Sequence, residues 1–225
     1  MRKSVVIAAL AGLGLAAAAQ AGVAMSFADP IPGRQMHNQA NGSGPGIGFL
    51  TYDMAAPIQF LFDGSEDGLP NHVFLNARME MQMSIGAATT VGGITTAPVS
   101  GFFKILDASS ETPTEIITGI ADAGTFVRIS NTNSILFSDP NFSYTPGAAL
   151  LAVTGPISFI DPSEAVFTLT SVVAEGGGSF INPDGTFRTF DANASFTGNT
   201  ESVPTPGALA LSGLGALCLA RRRRA

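Results

Sequence analysis

The clearest pattern in the chain lies between Val73 and Ile85. Val73, Leu75, Ala77, Met79, Met81, Met83 and Ile85 are apolar at every second position, with Asn76, Arg78, Glu80, Gln82 and Ser84 in most of the gaps. This period of two predicts a half-buried antiparallel strand with its odd-numbered side chains inward, because a helix would spread the same residues round its circumference. The alternation returns in a strand expected over 186–197. There Phe190, Ala192, Ala194 and Phe196 face one way, and Thr189, Asp191, Asn193, Ser195 and Thr197 the other.

Shorter apolar runs predict strands at 47–52, 57–62, 102–107, 114–121, 125–130, 134–137, 150–154, 157–160 and 165–173. Turn formers separate them. Asp122-Ala123-Gly124 reads as a hairpin turn, and Asp139-Pro140-Asn141, 175–178 and 182–185 as further breaks. Residues 22–46 read as an irregular lead, and 86–100 as a long loop or a weak edge strand. Strands about every ten residues, with no convincing amphipathic helix, predict an all-β body. The expected form is an antiparallel β-sandwich, jelly-roll-like or Ig-like, with a barrel as the alternative. No fixed sequence period argues for a solenoid or propeller. The 16 Phe, with many Val, Ile and Leu, supply one core.

Both ends depart from this pattern. Met1-Arg2-Lys3 is a basic start, Val5 to Ala19 is an apolar run, and Ala19-Gln20-Ala21 is an A-x-A site. That order predicts a signal peptide over 1–21, cut after Ala21, with Ala24 as the alternative. No Cys lies near the site and no Arg-Arg pair precedes the apolar run, so the general secretory route is expected.

At the other end, Val203-Pro204-Thr205-Pro206 precedes an uncharged run of small and apolar residues, Gly207 to Ala220. Arg221, Arg222, Arg223 and Arg224 follow. With Thr205 as a cap and Pro206 in the first turn, a helix through this run reaches roughly 20 Å, against about 30 Å of hydrocarbon. The arginines close part of the gap by snorkelling and stay on the cytoplasmic side.

This order of proline motif, short apolar helix and Arg cluster resembles the PEP-CTERM sorting signals of bacterial surface and exopolysaccharide-associated proteins. The resemblance covers Val203 to Ala225, and Thr205 stands where the family name implies Glu. It implies that Val203, Pro204, Thr205 and Pro206 are read by an exosortase-like membrane enzyme, and that Arg221 to Arg224 retain the tail before processing. The expected division is a signal peptide at 1–21, a β-sandwich extracellular domain at 22–200 and a sorting tail at 201–225.

Between the ends, five Lys or Arg face all 17 Asp and Glu. Such a surface disfavours nucleic acid and anionic headgroups. The single cysteine, Cys218, is in the tail, so the body forms no disulfide of its own.

Catalytic signals are sparse. His37 and His72 are the only histidines, without H-x-x-x-H spacing, and no G-x-S-x-G or body cysteine offers a nucleophile. Both histidines read as surface loop residues, and no catalytic residue is assigned. A glycosidase pair among the many carboxylates is not singled out by spacing. Asp63-Gly64-Ser65-Glu66-Asp67-Gly68 matches the opening of a calcium loop, with oxygen ligands at Asp63, Ser65 and Asp67. Phe74 stands where the closing Glu belongs, and an acidic solvated turn is the alternative. No other cofactor is expected.

The sequence thus predicts an exported protein of the cell envelope, cell surface or extracellular matrix, with a non-enzymatic structural or adhesive β body. A glycan-binding module for extracellular polysaccharide is the alternative, and a carbohydrate-active enzyme the third reading. No Trp is present, and only Tyr52 and Tyr144 add to Phe as aromatic surfaces for sugar.

Overall fold

The computed structural model describes residues 22–28, 33–40, 48–129, 132–178 and 187–204. Strands run at Val23–Ala28 (β1), Met36–Ala40 (β2), Gly48–Tyr52 (β3), Ile58–Asp63 (β4), His72–Ile85 (β5), Thr89–Val91 (β6), Ile94–Asp107 (β7), Thr114–Ile129 (β8), Ile135–Pro146 (β9), Ile157–Ala174 (β10) and Phe190–Pro204 (β11). One α-helix, Ala148–Thr154 (α1), lies between β9 and β10 among the described residues.

Every strand belongs to one antiparallel sheet, and the sheet closes on itself. The chain winds β7–β8–β9–β10–β11 as successive neighbours, and β5 pairs with β7 at the far side. Two pairs of short strands bridge the remaining gap between β11 and β5. β1 and β4 fill it at one end, where Val23–Ala28 lies along Ser195–Thr200. β2 and β3 fill it at the other, where Met36–Asn38 lies along Phe190–Ala192. The all-β antiparallel expectation therefore holds, and hydrogen-bonded strands join the opposed walls of the core.

The alternation in β5 is present, but its phase changes. From Ala77 to Ile85 the odd-numbered side chains are buried, as expected. Before Ala77 the order inverts. Phe74 is buried, whereas Val73 and Leu75 are 44% and 69% exposed. The cause is a bulge against β4: Ile58 pairs with Ala77 but Phe60 pairs with Phe74, so three steps on β5 face two on β4. An extra residue in one strand turns everything beyond it to the opposite face.

Phenylalanines from opposite walls meet inside. Phe103 on β7 packs against Phe142 on β9, Phe167 on β10 and Phe196 on β11, with ring centroids 5.7, 5.3 and 5.2 Å away. Phe27 on β1 joins this cluster through Phe167 and Phe196. Toward the other end, Phe126 contacts Phe137 and Phe187. Burying each such ring contributes about 1.5–3 kcal/mol, and edge-to-face pairs add to it.

Several expected breaks are absent. Asp122-Ala123-Gly124 is no hairpin turn, because β8 runs through it with a shift in register against β7. β9 continues through Asp139-Pro140-Asn141. There the buried Asp139 carboxylate accepts N–H groups from Asn141 at 2.8 Å and Ala123 at 3.3 Å, meeting donors that irregular pairing leaves over. The strands expected at 157–160 and 165–173 are one strand with a bulge between Ile160 and Glu164. The lead contains β1 and β2, and 86–100 contains β6 and the start of β7.

The strand expected at 150–154 is helical. Ala, Leu and Val at 148–153 suit a helix, and the run is too short for periodicity to decide. Leu150 is its buried contact with the core. Gly147 at its start has no room for a Cβ, because the backbone of Glu115 lies against it.

Candidate functional site

The last strand carries the body directly into the proline motif. β11 extends to Pro204, with Glu201 opposite Ile160, Ser202 opposite Phe159, Val203 opposite Ser158 and Pro204 opposite Ile157. Val203 and Pro204 are thus strand residues, and so is the polar stretch 198–202 before them. Its inward positions hold Gly198 and Thr200. Gly198 lies beneath the Tyr144 hydroxyl, and Thr200 accepts a hydrogen bond from the Ser163 hydroxyl at 2.7 Å.

β1 accompanies β11 as far as the pair Val23–Thr200. Past it, the next backbone N–H on that side, from Ser202, meets a side chain. The Asp67 carboxylate Oδ2 accepts the Ser202 N–H at 2.8 Å and the Ser202 hydroxyl at 2.5 Å. By strand alternation Pro204 sits on the same side as Ser202, so its missing N–H removes no bond to β10.

Asp67 belongs to the acidic loop singled out as a calcium candidate. Asp63 ends β4, and its Oδ1 accepts the Ser65 N–H at 3.0 Å and the Ser65 hydroxyl at 2.6 Å. These bonds hold the Asp63 carboxyl below its ordinary value, the hydroxyl contributing most. Residues Ser65–Asp67 form one 3-10 turn, which Gly68 closes in the left-handed conformation at φ 72°. The loop therefore brings Asp63 and Ser65 together but turns Asp67 toward β11. Among the described residues, no three His, Cys, Asp or Glu side chains come together to hold a metal ion.

The other residues expected to act in sorting, Thr205, Pro206 and Arg221 to Arg224, lie outside the described residues, as does the expected helix over 207–220. So do the expected signal peptide over 1–21 and its Ala19 and Ala21. Among the described residues, no helix is long and apolar enough to cross a membrane.

Both histidines are on strands, which corrects their assignment to loops. His72 opens β5 and stacks edge-on against Phe74, 4.5 Å between centroids. His37 on β2 pairs through Nδ1 with Asp191 on β11, 2.6 Å away, with both side chains about half exposed. Beside this pair Arg34 donates its backbone N–H to Asn193 and its Nε–H to the carbonyl of Ser171. Arg34 and Ser171 are the non-glycine residues at positive φ among those described, 55° and 52°, a conformation held by surrounding contacts. Sequence spacing gave no sign of this cluster, because its members come from segments distant in the chain.

The two tyrosines are buried and form no sugar platform. Phenylalanine is partly outside instead. Phe49 on β3 is 46% exposed. Phe102 on β7 is half-buried, with the Lys104 ammonium 5.9 Å from its ring centroid. Between these strands, β5 presents Gln82 and Glu80, joined at 3.3 Å.

No protein-family model, curated protein or solved structure matches this chain.

Proposed function

We propose that this is an exported, exosortase-sorted protein of the cell surface or exopolysaccharide matrix, with a structural or adhesive, non-enzymatic β body. The order of parts over 203–224 carries the reading: a Pro-punctuated motif, a short uncharged apolar run, and four consecutive arginines. The basic start, apolar run and A-x-A site of residues 1–21 agree with it. β11 carries Val203 and Pro204 at the end of a folded wall. In this reading the wall sits close to the membrane until processing, and the closed sheet serves as a sandwich-like body. Intact-mass measurement of mature protein from its native host tests the proposal. A chain ending within or just after 203–206 is expected, and one still carrying Arg221 to Arg224 overturns it.

A glycan-binding body is the second reading. The strip of Phe49, Gln82, Glu80 and Phe102 favours it, since apolar ring faces beside amide and carboxylate groups suit sugar faces and hydroxyls. Binding of the purified protein to the producer's polysaccharide, lost in Phe49→Ala with Phe102→Ala, would support it. Unchanged binding in that variant would remove the strip from consideration.

A further inference from the structure

Under the sorting reading, the end of β11 belongs to two partners. Val203 and Pro204 lie against β10, opposite Ser158 and Ile157, and they also open the recognition motif. Peptide clefts that take extended chain supply backbone partners and pockets for alternate side chains. By alternation, Val203 directs its backbone N–H and carbonyl toward β10, and it cannot offer the same groups to a cleft. The strand end must leave β10 before the motif is fully engaged.

One side chain holds that end from the opposite edge. Asp67 takes both the backbone N–H and the hydroxyl of Ser202, one residue before the motif. Hydrogen bonds to a carboxylate are among the stronger kind. The aspartate is itself fixed, because its N–H donates to Gly64 at 3.0 Å and Gly68 donates to Ser65 behind it. The acidic loop between β4 and β5 thus reaches across the chain to the exit of the last strand.

We infer that Asp67 is a positioning residue: it latches the end of β11 and thereby limits how fast Val203–Pro206 enters the processing enzyme. The inference rests on the sorting reading and adds to it a control point within the body.

Two measurements on the full-length chain test it. Hydrogen exchange, in detergent, reads the amides of Ser202 and Val203; pulse-chase in the native host reads processing. In Asp67→Ala, exchange at these amides is expected to rise about tenfold, and processing to accelerate with it. Asp67→Asn, which keeps one acceptor oxygen, should fall between. Gly119→Ala, which crowds Phe103 and Phe142 and leaves the latch in place, should lower the melting temperature without faster processing. Unchanged exchange in Asp67→Ala overturns the latch. Faster exchange without faster processing overturns the control point, as does equal acceleration by Gly119→Ala. A wild-type chain that is never processed overturns the sorting reading instead, while the exchange measurement still decides whether Asp67 holds the strand.

Discussion

Gly198 on β11 lies directly beneath the hydroxyl of Tyr144 on β9, so close that a Cβ on Gly198 would overlap both that oxygen and the Phe196 ring. The hydroxyl is fixed from the other side, donating to the Glu164 carbonyl at 2.9 Å. Gly198→Ala is therefore expected to destabilise the body by about 1–3 kcal/mol, the usual cost of overpacking. Tyr144→Phe removes the nearest obstructing atom and should make the second substitution cheaper. Urea unfolding of the two single variants and the double variant checks this, and strict additivity would contradict it.

Tyr144 also predicts a response to alkali. Burial first, and the negative charge of Asp139 second, push its hydroxyl well above the ordinary 10.0. The folded state thus holds the proton more tightly than the unfolded chain. Its contribution is fully present below about pH 10 and is lost as pH rises beyond that value. Wild type should lose stability there more steeply than Tyr144→Phe, measured as unfolding midpoints against pH.

The phase change in β5 separates structure from pattern. Met81→Asp and Phe74→Asp should each cost more than about 3 kcal/mol, because both place a charge in the core. Gln82→Asp and Leu75→Asp should be tolerated. Circular dichroism on thermal unfolding reads all four, and a severe effect of Leu75→Asp would contradict the bulge.

In the acidic loop, the Asp63 and Asp67 carboxylates already serve Ser65 and Ser202. Millimolar Ca²⁺ is therefore expected to leave the melting temperature of the full chain unchanged. A rise that Asp63→Ala with Asp67→Ala abolishes would support calcium binding at this loop. On the acid side, Asp63 is held below 3.8, so its contribution is present above that pH and lost as pH falls through the folded-state value. Asp63→Ala should blunt the acid loss.

Under the sorting reading, the tail predicts two separable failures. Replacing Pro204 and Pro206 with Ala should block processing and leave the chain in the membrane. Replacing Arg221 to Arg224 with Ser should weaken retention and release unprocessed chain, since each Arg costs roughly 2.5–3.5 kcal/mol at the bilayer centre. Membrane fractionation with mass analysis distinguishes these outcomes from a plain anchor, for which the proline changes would do nothing.

Sequence pattern disclosed the fold where a strand buries ordinary apolar residues on one face, as from Ala77 to Ile85 or from Phe190 to Phe196. It failed where neighbouring strands decide. Phe74 points inward because β4 imposes a bulge, and no reading of β5 alone contains β4. The end of β11 escaped notice because its inward positions, Gly198 and Thr200, are a small residue under a ring and a hydroxyl bonded to Ser163. The order of parts from Val203 onward is a local pattern, whereas the contact that holds this strand end is not. Asp67 and Ser202 are joined only by the closure that brings β1, β4 and β11 together.

That closure also orders events in time. Val23, the first residue of the first strand, finds its partner at Thr200, near the end of the last one. Until β11 exists, β1 lacks one neighbour, β2 likewise, and β10 keeps an open edge. Neighbouring hairpins from β7 to β10 can assemble early, but the circuit completes only when β1 and β11 meet, a contact between segments far apart in sequence and so slow to form. A truncation before Phe190 should therefore leave more than a shorter version of the same body: it leaves a row of unpaired edges, open to other chains.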